Sequence, residues 1–136
     1  MLKVLVAIDQ ANLHGQLKHL GKKADFNTLR EILVNPQEDR FEVDTYIYAP
    51  IPQQNADGVF RWHDWLRSQG FVVVSKRAKL MPDGSSKCNL DSELILDVIE
   101  ICNDVHPDVV VLVSGDGDFA SLCHRLRRKG IRVEVA

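Results

Sequence analysis

Four aspartates in this chain, Asp9, Asp91, Asp116 and Asp118, fall where their carboxylates could act together. Asp9 ends the apolar run Val4 to Ile8. Asp116 and Asp118 follow a second run, Asp108 to Val113, in Ser114-Gly115-Asp116-Gly117-Asp118. Asp91 stands at the start of a long helical stretch. Short β-branched runs bounded by polar residues read as buried parallel strands, and open parallel sheets bind ligands outside the carboxyl ends of their strands. All four aspartates then lie on one sheet edge. Carboxylates brought together repel, each raising the pKa of the others. A hard divalent cation offsets that cost, and Mg²⁺ prefers carboxylate and water oxygens. One or two such ions could activate a water and stabilise the leaving oxygen of a phosphodiester.

Each aspartate also has a structural alternative. Asp118 and Asp91 suit the caps of the helices they introduce, and Asp9 suits a turn before a helix that starts at Asn12. A capping aspartate keeps a second oxygen for a metal, so the two roles are compatible. Asp97 lies beside the apolar stripe Leu90, Leu94, Val98, Ile101 and Val105 of the long helix. A carboxylate there needs either a metal or a partner such as a Lys, an Arg or a hydroxyl.

The elements that must position these residues alternate between strand and helix. Lys3 to Ile8 reads as the first strand, and Asn12 to about Leu20 as a helix stopped at Gly21. Phe26 to Val34 follows as a helix ended before Pro36. Phe41 to Ala49 is the second strand, closed by Pro50 and Pro52. Residues Ala56 to Ser68 form an amphipathic helix with Val59, Trp62, Leu66 and Trp65 as candidates for its inner face. Phe71 to Ser75 is the third strand, and Met81 to Ser86 is a loop. Asp91 to Val105 is the longest helix, broken at His106-Pro107. Asp108 to Val113 is the fourth strand, Phe119 to Lys129 a helix, and Ile131 to Val135 the fifth strand. Strands separated by helices imply right-handed crossovers and a parallel α/β sheet covered on both faces.

Composition fits one domain over residues 1–136 with an ordinary core, at 45% hydrophobic and 26% charged residues. A net charge of -2 argues against a dedicated basic coat but permits a local phosphate-binding patch. Lys76, Arg77, Lys79 and Lys87 flank the loop near the aspartates and are the candidates for it, with solvated surface lysines as the alternative. Arg125, Arg127, Arg128 and Lys129 suit the C-terminus of the last helix, with RNA binding as the lesser alternative. Cys88, Cys102 and Cys123 are odd in number and widely spaced, which suits neither a zinc site nor a disulfide framework. The histidines lack metal-ligand spacing, and G-x-S-x-G, G-x-G-x-x-G and P-loop patterns are absent. Trp62 and Trp65 could stack bases, although helical spacing also suits core use. With no signal-like N-terminus and no apolar stretch of about 18–20 residues, the chain reads as soluble and cytoplasmic, with no membrane partner.

Three blocks resemble the NYN branch of the PIN-like nucleases, in particular its LabA-like group. They are Ile8-Asp9-Gln10-Ala11-Asn12-Leu13, Leu90-Asp91 with Asp97 six residues on, and Val113-Ser114-Gly115-Asp116-Gly117-Asp118-Phe119. The resemblance implies a PIN-like three-layer fold whose central five-stranded parallel sheet has the order 3-2-1-4-5, with helices on both faces. It implies a Mg²⁺- or Mn²⁺-dependent ribonuclease site in which Asp9, Asp91, Asp116 and Asp118 match the acidic positions. Asn12 and Ser114 match accessory polar positions that orient ligands or contact phosphate. Gln10 stands where the family has Gly, and Cys88-Asn89 where it has Lys-Gly, with Asn89 suited to a left-handed turn. The implied partner is single-stranded or structured RNA, and a homo-oligomer is compatible with it. Two other classes stay open: an RNA-binding regulatory module with little turnover, since LabA-like relatives are associated with gene regulation, and a small-molecule phosphohydrolase. For the last, a haloacid-dehalogenase pattern needs Asp-x-Asp after the first strand, and residue 11 is Ala.

Overall fold

The computed structural model describes the backbone of all 136 residues and the side chains of all but Ser86 and Lys87. The first strand, β1 (Leu2–Asp9), runs through Val4 to Ile8 with both faces covered, as its unbroken apolar sequence demands. The helices α1 (Gln10–His19) and α2 (Phe26–Val34) follow it, and then β2 (Arg40–Ile51). Pro50 lies inside β2 rather than ending it. Helix α3 (Asp57–Ser68) leads to β3 (Val72–Arg77). The expected loop is present at Met81 to Ser85, with Gly84 at φ +86°, and it joins a short antiparallel pair, β4 (Lys79–Leu80) and β5 (Ser86–Lys87). Helix α4 (Asp91–Val105), β6 (Val109–Val113), α5 (Ala120–Arg128) and β7 (Arg132–Val135) complete the chain.

The main sheet has the order β3-β2-β1-β6-β7, with every neighbouring pair parallel. Numbered without the small hairpin, this is 3-2-1-4-5, the expected order. Helices on both faces make the fold three-layered. Alternation along β1 divides the core in two. Val4, Val6 and Ile8 pack with Phe26, Leu66 and Phe71 on one face, while Leu5 and Ala7 pack with Leu94, Phe119 and Leu126 on the other. The inner stripe of α4 differs from expectation. It is completed by Cys102, while Ile101 is only partly buried and Val105 is exposed. The true period drifts toward the i, i+4 row of Leu94, Val98 and Cys102, because α4 lies flat on the sheet along that row. Trp65 faces outward, at 46% exposure. His106, at φ 52°, ends α4 in the left-handed conformation immediately before Pro107.

One polar contact ties distant parts of the sheet together. Arg40, at the start of β2, donates from Nη1 and Nη2 to the two carboxylate oxygens of Glu134 on β7, at 2.9 and 2.8 Å. Strands β1 and β6 lie between those two strands. Arg40 is 6% exposed, so its charge is tolerable only because it is paired in this two-pronged way. The hydrogen bond from Arg40 holds the Glu134 carboxyl below the usual glutamate range. We therefore expect Arg40→Ala to cost about 2 kcal/mol in urea unfolding at neutral pH, mostly by leaving the partly buried Glu134 with only the exposed Arg132, at 3.1 Å, as its partner. Because the folded-state pKa of Glu134 is depressed, its contribution is present above the ordinary glutamate range and is lost as pH falls through the lowered value. The stabilities of the wild type and Glu134→Gln should accordingly converge in acid.

Candidate functional site

The parallel register sets the site. Ile8 is level with Val113 of β6, and Asp9 is level with Tyr48 of β2. Asp9, the last residue of β1, and Ser114, the first after β6, therefore emerge on the same edge, where they meet. Ser114 is buried, and its hydroxyl donates to Asp9 Oδ2 at 3.1 Å while accepting from the Asp116 backbone N–H at 3.1 Å. Asp9 Oδ1 accepts from the Asn12 N–H at 3.4 Å and so caps α1. Asn12 Oδ1 in turn accepts from the Gly115 N–H at 2.9 Å and from Gln16 Nε2 at 3.1 Å. Two links thus latch the first turn of α1 to the loop after β6. A side chain at residue 115 would meet Gln16, since a Cβ there would lie 2.5 Å from Gln16 Nε2. That amide is the far end of an exposed side chain, which could swing aside at the loss of its bond to Asn12.

Capping accounts for Asp9 and does not account for Asp91 or Asp118. The N-cap positions of α4 and α5 are Leu90 and Phe119, neither of which makes a side-chain capping bond. The Asp91 N–H donates to Asn89 Oδ1 at 2.8 Å, which leaves the Asp91 carboxylate free to face the cleft. Asn89 acts through its side chain and does not take the left-handed backbone. Asp116 Oδ1 accepts from the Asp118 N–H at 2.9 Å, holding both residues in a short 3-10 turn, Gly117–Phe119.

The structure brings Asp91, Asp116 and Asp118 together, each offering a carboxylate oxygen within 4.8 Å of the others. Asp9 lies alongside, in one cleft of about 290 Å³ with Asp91, Asp116, Asn12 and Asn89. Burial raises the Asp9 carboxyl above the usual range, against the bonds from Asn12 and Ser114, and Asp116 raises it further. Asp91 is raised too, first by burial and then by the charges of Asp9, Asp116 and Asp118. Clustered carboxylate oxygens, with ionisation opposed at Asp9 and Asp91, are the donor set that a hard divalent cation fits.

Asp97 does not join this group. Its Oδ2 accepts from the Tyr48 hydroxyl at 3.1 Å, which is the hydroxyl partner allowed for in the sequence. Tyr48 lines the cleft and was missed, along with Pro50. Its signal was available: a residue near the carboxyl end of β2, level with Asp9, belongs to the same edge. Lys76, Arg77 and Lys79 line a second pocket of about 360 Å³, and Cys88 and Asn89 line both it and the cleft. Lys76 is bridged to Glu93 at 3.2 Å, and Arg77 sits over the Phe60 ring at 5.9 Å. The side chain of Lys87 lies outside the described residues.

The electrostatics yield a direct test. A raised folded-state pKa means that Asp91 destabilises the metal-free fold when ionised, and that this cost sets in as pH rises through its folded-state value. In EDTA at neutral pH, Asp91→Asn should melt about 3 °C higher than the wild type, with the gap closing in acid. It should also lose most of the rise in melting temperature that the wild type shows with Mn²⁺. Equal stabilisation of both proteins by Mn²⁺ would remove Asp91 from the centre.

Comparison with known proteins identifies the family of the chain. Residues 3–136 match the NYN domain family. The chain is 32% identical over 99 residues to the Low amplitude and bright protein LabA of Synechococcus elongatus, covering 68% of this chain and 51% of that protein. It thus spans about half the length of that relative. A crystal structure of a protein of unknown function from Vibrio parahaemolyticus RIMD 2210633 superposes with a TM-score of 0.76 at 31% identity, covering 98% of this chain and 80% of that one. Among the described residues, no helix is long and apolar enough to cross a membrane. On the match along nearly its whole length, the chain belongs to the NYN domain family, as a LabA-like member of the PIN-like nuclease superfamily.

Proposed function

We propose that this protein is a metal-dependent ribonuclease that hydrolyses RNA phosphodiester bonds within the chain. The observation that supports this most is the convergence of Asp91, Asp116 and Asp118 beside Asp9, in a cleft that adjoins a pocket of basic residues. In this reading Asp9, Asp91, Asp116 and Asp118 hold Mg²⁺ or Mn²⁺. When bound, such an ion supplies charge that lowers the pKa of water and stabilises a leaving oxygen. Ser114 keeps Asp9 oriented through its hydroxyl, and Asn12 holds the Gly115 backbone so that Asp116 and Asp118 keep their places. Arg77, Lys79 and Lys87 are the cations proposed to grip flanking phosphates. Lys76 shares its charge with Glu93 and is the weaker contributor. Asp97 and Tyr48 brace each other and shape the wall. The family resemblance carries the choice of RNA over DNA.

A second reading, an RNA-binding regulatory module with little turnover, is favoured by one observation. Both carboxylate oxygens of Asp9 already accept hydrogen bonds from the protein, and Asp9 stands outside the tight trio.

The deciding experiment is cleavage of labelled single-stranded RNA by the purified protein with Mn²⁺ or Mg²⁺. Cleavage that EDTA stops, and that Asp116→Asn reduces by more than about a hundredfold, is the expected result. That loss exceeds what removal of a merely supporting residue costs. Metal-dependent binding without cleavage would select the regulatory module instead. DNA of the same sequence, run in parallel, reports on the sugar.

A further inference from the structure

Helix α1 separates two cavities. On one side Ala11 and Asn12 line the aspartate cleft, together with Asp9 just before the helix. On the other side Gln10, Leu13, His14 and Leu17 line a pocket of about 400 Å³ between α1 and α3. Those four positions form the i, i+3, i+4, i+7 stripe of a single helix face, although α1 has no fully buried residue. The opposite wall is aromatic. Trp62 is half-buried and packs edge-on against Phe26, with ring centroids 5.6 Å apart, and both rings line the pocket. The rim is basic: Lys22 and Lys23 are exposed, and neither has an ion-pair partner among the described residues. No acidic residue lines the pocket.

We infer that this pocket receives a nucleobase of the RNA strand whose phosphodiester lies in the aspartate cleft, stacked against Trp62, with Lys22 and Lys23 on the adjoining phosphates. The inference rests on the ribonuclease reading for its ligand and adds a subsite to it. An aromatic wall suits any base, because every base presents a π-face. The volume suits a base with its ribose. Two unpaired ammonium groups beside an apolar wall match a ligand that alternates flat rings with negative charge. Continuity decides between RNA and an acidic peptide. The pocket and the aspartate cleft are opposite faces of the same first turn of α1, so a strand crossing that turn reaches both.

The test is the binding of a short fluorescein-labelled single-stranded RNA of mixed sequence in EDTA, where cleavage is absent, read by anisotropy across a salt series. Trp62→Leu should weaken binding about tenfold. Because Trp62 also packs on Phe26, its folding is checked by melting, and a second variant carries the test if it unfolds. That variant joins Lys22→Gln with Lys23→Gln, both at exposed positions, and should flatten the dependence of log K on log salt by about 1. Wild-type affinity and salt slope in the lysine variant would overturn the inference, while metal-dependent cleavage lost in Asp116→Asn would still uphold the nuclease. Absence of RNA binding by the wild type would overturn the subsite. Weakened binding in both variants without any cleavage by the wild type would uphold the subsite and sink the nuclease. Self-association abolished by Trp62→Leu, with RNA binding unchanged, would overturn the inference in favour of a second copy covering the pocket.

Discussion

Parallel pairing of β1 with β6 is the constraint on which the rest of the molecule depends. Both strands are buried on both faces, so each reads as an unbroken apolar run and must end in something polar at the sheet edge. Their register brings Asp9 level with the residue after Val113, and Ser114 bridges the gap with a hydroxyl that donates and accepts at once. Moving β6 by one residue would reverse which side chains face each half of the core. The register is therefore locked by the packing of Val109 to Val113, and the site inherits its precision from hydrophobic burial.

The cost of that arrangement is electrostatic. A buried Asp9 beside Asp116, and an Asp91 facing three other carboxylates, are held in place by backbone and side-chain donors and by the rigid ends of α1 and α4. The fold tolerates this because the surrounding contacts over-determine it. Asn12 and Ser114 latch the loop after β6 to α1, and Asn89 holds the start of α4. The same donors that cap α1 and latch the loop also hold like charges together at the sheet edge, which is the pattern on which the proposed metal site rests.

Charge is distributed to match. The basic pocket around Arg77 and Lys79 and the lysines at residues 22 and 23 flank the acidic cleft on two sides, so a chain whose net charge is only -2 still offers positive ground next to it. Arg40 and Glu134 play the opposite part. Their charges are neutralised against each other and tie β2 to β7 across two intervening strands.

Local chemistry was legible in the residues themselves. The strand–helix alternation, the limits of α2 and α4 and the break at His106-Pro107 followed from apolar periodicity and helix-ending signals, because each depends on neighbours in the chain, whereas the strand order came only from family likeness. The positions of Asp9, Asp91, Asp116 and Asp118 on one edge followed from the same strand ends. What the chain could not state locally was decided by packing. The expected loop spans Met81 to Ser85, and the short strands Lys79–Leu80 and Ser86–Lys87 that flank it pair in a way the turn residues alone do not specify. Cys102 replaced Ile101 and Val105 on the inner stripe of α4 once the helix settled on the sheet. Asp97 went to Tyr48, and Lys76 to Glu93, because side-chain partners depend on distances across the sheet that sequence spacing does not encode. Sequence alone determined which residues reach the edge. Only the tertiary structure decided which of them meet there, because that depends on register, helix rotation and the competition of each side chain for its nearest partner.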